Sequence, residues 1–293
     1  MRVFVTGATG WVGSVVVNEL LGAGHQVLGL SRSEEKASRL AAQGADVLRG
    51  TLDDLDRLAE AASSAEAVIH LAFNHDFSQL AENCEQERRA IAAMGEALVG
   101  TDKPILVSSG LAFLAPGRVA TEADMPPLAE KTFPRKNEAA AAALAERGVR
   151  VGVVRLATTV HGIGDQMFMK LLARLARDKG VSAYIGDGAN RWPAVHVSDA
   201  GRLYRLALEA GAPARVYHAS AEEGIAFRAI AEAIGRALDL PVEPRPREHF
   251  GWFADFAAAD ARASSVRTRE LTGWAPTGPT LLADLAQPAY FAG

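Results

Sequence analysis

The stretch VFVTGATGWVG, residues 3–13, constrains the folding of this 293-residue chain more than any other. Val3 to Thr6 carry the β-branched and aromatic side chains that suit a strand. The apolar run Val12 to Leu21 has the length of a helix. Between them, Gly7, Gly10 and Gly13 dictate strand, tight turn and helix. Gly7 lets the chain reverse sharply. Gly10 lets the phosphates of a ligand reach the backbone at a helix N-terminus, and Gly13 lets that helix lie close to the strand. The spacing is one residue off the simple dinucleotide fingerprint, but the physical roles transfer. A glycine trio alone is weak evidence, since a turn can be glycine-rich without a ligand. Its place between an N-terminal strand and an apolar helix makes it a dinucleotide cradle.

The same alternation continues. Strands are expected at Gln26 to Leu30, Asp46 to Leu48, Ala65 to Ala72, Pro104 to Ser108 and Val149 to Leu156. Helices are expected at Glu34 to Ala42, Asp54 to about Ala62, about Gln79 to Val99, and Lys136 to Glu146. Strands apolar on both faces and alternating with helices imply an α/β fold, a Rossmann-type doubly wound parallel sheet covered on each side. After Leu156 the rhythm breaks. The expected organisation is a dinucleotide-binding core over residues 1–162, an excursion over 163–195 with a helix near Gln166 to Asp178, a return over 196–219, and a smaller C-terminal substrate lobe over 220–293.

Bulk properties exclude several classes. The formal charge of −4 and the absence of long basic runs give no reason to expect nucleic acid or a membrane as partner. Cys84 is the sole cysteine, so neither an intrachain disulfide nor a cysteine-rich metal site is available. The first residues lack the apolar core of a secretory signal, and a cytoplasmic location is expected. The helices expected at 79–99 and 136–147 could pair two copies into a homodimer, or could simply complete a monomer core. The histidines are too scattered to suggest a metal.

The end of the second expected strand reads LGLSRSEEK. A free ribose 2'-hydroxyl usually meets an acidic residue there. This chain offers Ser31, Arg32 and Ser33, and a guanidinium can pair with a 2'-phosphate. The alternative is a solvated arginine at a loop mouth. NADP, more than NAD, is the expected cofactor.

Further segments resemble one family. VIHLAF (with His70, Leu71 and Ala72), ILVSSG (Ile105 to Gly110), VRLATTVHG (Val154 to Gly162), RWPAVHVSDAGRLYRLAL and RELTGWAPTGPTLLADL occur in the order seen in extended or atypical short-chain dehydrogenases/reductases of the NAD-dependent epimerase/dehydratase kind. The likeness covers nearly the whole chain. It implies cofactor contacts from Gly7, Thr9, Gly10, Trp11, Val12 and Gly13 in the turn. It also implies contacts from Leu71 and Ala72 after the fourth strand and from Leu156 after the sixth.

The resemblance fails where the chemistry should be. Family enzymes place Tyr four residues before Lys, so that both meet on one helical face. Lys136 stands at the lysine place, which implies a ribose-binding and catalytic role, but Thr132 stands at the tyrosine place. An aliphatic alcohol is a far poorer acid than a phenol and cannot inherit its role; Thr132 could position a water that Lys136 polarises. The best match to the family's hydroxyl residue is Gly110, with Ser109 one position earlier. Ser108 and Ser109 are candidates for binding substrate, or for capping their own loop. His161 could act as an acid or base, or serve structurally. Tyr184 could supply a phenol from the smaller lobe, or pack as a core aromatic.

The expected activity is hydride transfer between NADP(H) and a small or medium carbonyl-like substrate (ketone, imine or activated alkene) with a non-standard proton donor. Two alternatives stay open: an NADPH-binding regulatory or interaction protein without turnover, and an isomerase, epimerase or lyase of the same superfamily.

Overall fold

The β-branched N-terminus forms β1 (Arg2–Thr6), with four of its five residues buried, and the glycine turn delivers the chain into α1 (Trp11–Gly22). The structure, a computed structural model, describes residues 1–126 and 135–291. The alternation then runs β2 (Gln26–Ser31), α2 (Glu34–Ala42), β3 (Asp46–Arg49), α3 (Leu55–Ser64), β4 (Ala67–His70) and α4 (Leu80–Glu96). It continues with β5 (Pro104–Gly110), α5 (Asn137–Glu146) and β6 (Arg150–Leu156). The expected elements are all present, displaced by at most three residues at their ends. Where α5 should start, Lys136 is instead the residue flanking the helix, with backbone angles of φ −114° and ψ 11°.

After β6 the chain does not simply wander. It forms β7 (Thr159–His161), α6 (Phe168–Lys179), β8 (Ser182–Tyr184) and β9 (Arg191–His196), followed by α7 (Val197–Glu209) and β10 (Val216–Ala219). The remainder is β11 (Glu222–Ala226), α8 (Phe227–Leu238), β12 (Val242–Pro244), α9 (Ala254–Ala258), α10 (Val266–Thr272) and α11 (Leu281–Leu285).

Among the described residues, seven parallel strands pair in the order β10-β6-β5-β4-β1-β2-β3. From β1 the chain winds outward to β2 and β3, then crosses to β4 on the other side of β1. The reversal therefore lies between β1 and β4, and a crevice opens at their carboxyl ends. The glycine turn and the segment after β4 meet there. A small sheet, β11-β9-β7, and a two-stranded pair, β12-β8, lie outside the main one.

One face of the main sheet packs on α1 and α7 through Val16, Val17, Leu20, Leu203 and Ala207, all fully buried. Burial of each of the larger side chains contributes about 1.5–3 kcal/mol. The two helices touch closely, because a Cβ on Gly201 would stand 2.7 Å from the Val15 side chain. The other face packs on α3, α4 and α5 through Leu58, Ile91, Met94 and Leu144. A separate aromatic core, with Trp192, Phe227 and Phe253 fully buried, joins α6 and α8 to the chain around α9.

Arg155, wholly excluded from solvent on β6, carries a charge that must be neutralised where it sits. Glu138 in the first turn of α5 accepts two hydrogen bonds from it, at 2.9 and 2.7 Å, and the Asp124 carbonyl accepts a third at 2.8 Å. This ion pair sets the start of α5 against the sheet.

Candidate functional site

The glycine turn is closed by the Gly10 amide donating to the Gly7 carbonyl at 2.9 Å. Gly7 has φ +68°, and a Cβ there would stand 2.7 Å from the Ala72 nitrogen. A Cβ on Gly13 would stand 1.9 Å from the Gly7 oxygen. Both positions are closed to any side chain by contact, which is a stronger constraint than the spacing alone. Gly10 flanks α1 with no side-chain cap, so the first-turn amides of Trp11, Val12 and Gly13 and the positive end of the helix dipole are offered to an anion. Thr9 lies in the turn. The Trp11 indole donates to the Val160 carbonyl at 2.8 Å and fastens the turn to β7. These features fit a dinucleotide pyrophosphate.

At the carboxyl end of β2, Ser31 is buried and its hydroxyl donates to the Ser33 carbonyl at 3.1 Å, while Ser33 caps α2. Both serines therefore shape the loop, and Arg32 is exposed at its mouth. The structure adds a residue passed over in the sequence. Arg49 ends β3 in register with Ser31, donates to the Arg32 carbonyl at 3.5 Å, and lies 3.4 Å from Glu34. Its Nη1 is excluded from solvent and makes no hydrogen bond among the described residues. The Arg49 side chain thus reaches the backbone of the loop that carries Arg32, with its Nη1 facing Glu34. The signal was present as an arginine ending the strand beside LGLSRSEEK.

On the other side of the crevice, the Thr6 hydroxyl accepts from the Ala72 amide at 3.3 Å and lies 2.8 Å from His70 Nδ1. The other ring nitrogen, Nε2, is excluded from solvent and makes no hydrogen bond among the described residues. Burial, assisted by the charge of Arg135, pushes the His70 pKa down to about 3, so the ring is neutral. The Ser108 hydroxyl donates to the His70 carbonyl at 2.8 Å and lies 2.7 Å from the Tyr204 phenol. It therefore bridges β4, β5 and α7, a structural role of the kind weighed beside substrate binding, though with partners outside its own loop. Ser109, the next residue, faces the opposite side of the strand and makes no side-chain hydrogen bond among the described residues. Leu71, Ala72 and Leu156 are half-buried along the crevice ends of β4 and β6.

Thr132 lies outside the described residues. Lys136 does not occupy an apolar helical face. Its side chain is half-exposed at the start of α5, with Nζ 3.7 Å from Glu85 on α4. The half-buried cation here is its neighbour. Arg135 donates from Nε and Nη2 to both oxygens of Glu87, at 3.0 and 2.6 Å, and its guanidinium carbon lies 4.4 Å from the centre of the Phe73 ring. Glu87 is almost wholly buried, which pushes its pKa up against the opposing pull of Arg135.

His161 is fully buried. Its Nδ1 lies 2.7 Å from Asp284 on α11, and its Nε2 is 3.9 Å from Glu222 with no hydrogen bond. Burial lowers its pKa despite the Asp284 carboxylate. His161 therefore stitches β7 to the C-terminal segment. His196 caps α7, and Asp199 accepts from the amides of Thr277 and Gly278. No tyrosine replaces the missing phenol through any of these contacts. Tyr204 is bound to Ser108, the Tyr217 hydroxyl accepts from the Ala214 amide, Tyr290 donates to Asp165, and the Tyr184 ring is buried beneath Arg228.

Comparison with known proteins agrees with this architecture. Residues 3–220 match the model of the NAD dependent epimerase/dehydratase family. An uncharacterised protein of Schizosaccharomyces pombe is 46% identical over 99% of this chain and 100% of its own length. The 2-alkyl-3-oxoalkanoate reductase of Stenotrophomonas maltophilia is 29% identical, covering 82% of this chain and 77% of its own. The solved structure of MoeE5 in complex with UDP-glucose and NAD superimposes with a TM-score of 0.76 at 23% identity, covering 99% of this chain and 98% of that one. No helix among the described residues is long and apolar enough to cross a membrane.

Proposed function

The chain belongs to the NAD dependent epimerase/dehydratase family, and from that premise we propose that it is an NADP(H)-dependent oxidoreductase acting on a small or medium carbonyl-like substrate. The observation that carries this reading is the glycine turn, where two close approaches leave no room for a side chain beneath an uncapped helix N-terminus. Gly7, Gly10 and Gly13 form the cradle, and the Trp11, Val12 and Gly13 amides donate to the pyrophosphate. Arg32, exposed at the end of β2, and Arg49, whose side chain reaches the same loop, supply the charge for a 2'-phosphate and support NADP over NAD.

When bound, the reduced nicotinamide supplies the hydride. The residues at the ends of β5 and β6 do the rest. Ser109, whose hydroxyl has no partner among the described residues, donates to the substrate oxygen and orients it. Burial by Leu71, Ala72 and Leu156 restricts water on that side. The proton that completes reduction reaches the substrate through water, with Thr132 as the residue proposed to position it. That route suits a ketone, an imine or an activated alkene alike. The engagement of the Tyr204, Tyr217 and Tyr290 hydroxyls elsewhere favours a second reading, a NADPH-binding regulatory protein without turnover.

Purified protein incubated with NADPH and a panel of ketones, imines and activated alkenes separates these readings. Stoichiometric loss of NADPH with reduced product supports the oxidoreductase. Product without net NADPH oxidation assigns an isomerase, epimerase or lyase, and tight binding without turnover on any member assigns the regulator.

A further inference from the structure

Sequence pattern singled out Lys136 as the cation of the site, yet the geometry points to Arg135: we propose that Arg135 binds the nicotinamide half of the dinucleotide, donating from Nη1 to the ribose hydroxyls, with Glu87 and Phe73 as its positioning residues. The inference rests on the reading that the crevice between β1 and β4 holds a dinucleotide.

The sheet order assigns the two halves of such a ligand. With the pyrophosphate at the glycine turn above β1, Arg32 and Arg49 at the ends of β2 and β3 lie on the adenosine side. The other half must then extend over β4 and β5. Arg135 stands on that side, against Phe73 three residues beyond the end of β4. Its charge is felt by His70 on β4 and by Tyr204, whose phenol meets Ser108 on β5.

The guanidinium is held as a presented group, not as a buried strut. Glu87, 1% exposed in the middle of α4, engages Nε and Nη2 and leaves Nη1 without a hydrogen bond among the described residues. Nη1 is not among the solvent-excluded unpaired atoms, and the side chain keeps 21% of its surface open. Stacking on Phe73 and the two-pronged bond to Glu87 remove the freedom that an arginine normally loses on binding. What remains is a fixed donor with two N–H bonds, suited to a vicinal diol. Lys136, by contrast, is drawn outward to Glu85.

The test maps ligand fragments onto variants and needs no turnover. Reduced nicotinamide mononucleotide, adenosine 2',5'-bisphosphate and NADPH are titrated against the full-length protein, R135K, R135A and K136A. Lysine keeps the charge that Glu87 requires but cannot also present a second fork nitrogen. The expected result for R135K is about tenfold weaker binding of NADPH and of the nicotinamide fragment, with the adenosine fragment bound within about twofold of wild type, as loss of one charge-assisted hydrogen bond implies. K136A is expected to bind all three as wild type does.

A second measurement uses the unaltered protein. Arginines are modified with phenylglyoxal and located by peptide mass. The nicotinamide fragment is expected to shield Arg135 and not Arg32; the adenosine fragment, the reverse. Unchanged NADPH affinity in R135K and R135A, equal loss for both fragments, a loss in K136A alone, or no shielding of Arg135 would each overturn the inference while leaving dinucleotide binding intact. Failure of the wild type to bind NADPH or either fragment would instead overturn the underlying reading.

Discussion

Gly13 is where the proposed cradle is most sharply constrained, and Gly13→Ala is the perturbation that exposes it. A Cβ there stands 1.9 Å from the Gly7 oxygen and 2.8 Å from the Gly7 carbonyl carbon, both backbone atoms that cannot swing aside. Real contacts of this kind do not fall below 3.0 Å, so α1 and the turn must part by more than about 1 Å. Overpacking of this size costs about 1–3 kcal/mol of stability. A displacement of about 1 Å in a group that positions a ligand costs about 100-fold, or about 2.7 kcal/mol, in its function. Gly22 provides the control in the same helix: its Cβ would meet nothing within 4 Å, and alanine there should be neutral or stabilising by a few tenths of a kcal/mol. NADPH titration followed by fluorescence, paired with thermal unfolding, reads both effects. The expected outcome is about 100-fold weaker NADPH binding and a lower melting temperature for G13A, with neither change in G22A. Wild-type affinity in G13A would refute the placement of the pyrophosphate against this turn.

Other outcomes follow from the same structure. Arg49→Ala is expected to weaken NADPH by about tenfold and leave NADH unchanged, the loss of one charge-assisted contact to the 2'-phosphate; equal effects on the two cofactors in competition binding would contradict it. Glu138→Gln leaves Arg155 wholly buried without its counter-charge, and equilibrium unfolding in urea should record a loss of about 3 kcal/mol; a loss below about 0.5 kcal/mol would show that the pair is dispensable. For acid stability, His70 is neutral down to about pH 3 when folded but takes up a proton near 6.5 when unfolded. The unfolded chain therefore binds more protons in that window. Stability should fall by about 1.4 kcal/mol per pH unit from this group as pH drops below 6.5, and level off below the folded pKa. Urea midpoints across the window should drop less steeply in His70→Asn than in wild type, and parallel slopes would count against a neutral buried ring.

The parts of this molecule that were legible in sequence are those whose physics is local. Val3 to Gly13 encodes strand, turn and helix within eleven residues, and the run Glu34 to Ala42 was read as a helix with the bounds that α2 has. The sheet β11-β9-β7 was not legible, because β7 and β9 pair across an intervening helix and strand and neither is long enough to show its own period. The site divides the same way. Gly7, Gly10 and Gly13 declare themselves by spacing, whereas Arg49 gains its place only when β3 aligns with β2, and Arg135 only when α4 brings Glu87 beneath it. Lys136 shows the same limit: the resemblance gave it the family's lysine place on a helix, whereas here it flanks the start of α5 with Nζ 3.7 Å from Glu85. The bond between Ser108 and Tyr204 was not legible because the two lie 96 residues apart in the chain.

Isothermal titration of the full-length protein with NADPH, repeated with NADH, tests the central claim most directly. The account requires one site per chain, filled by both dinucleotides and more tightly by NADPH. Absence of binding by either would remove the cradle from the function altogether, and tighter binding of NADH would remove Arg32 and Arg49 from the recognition of a 2'-phosphate.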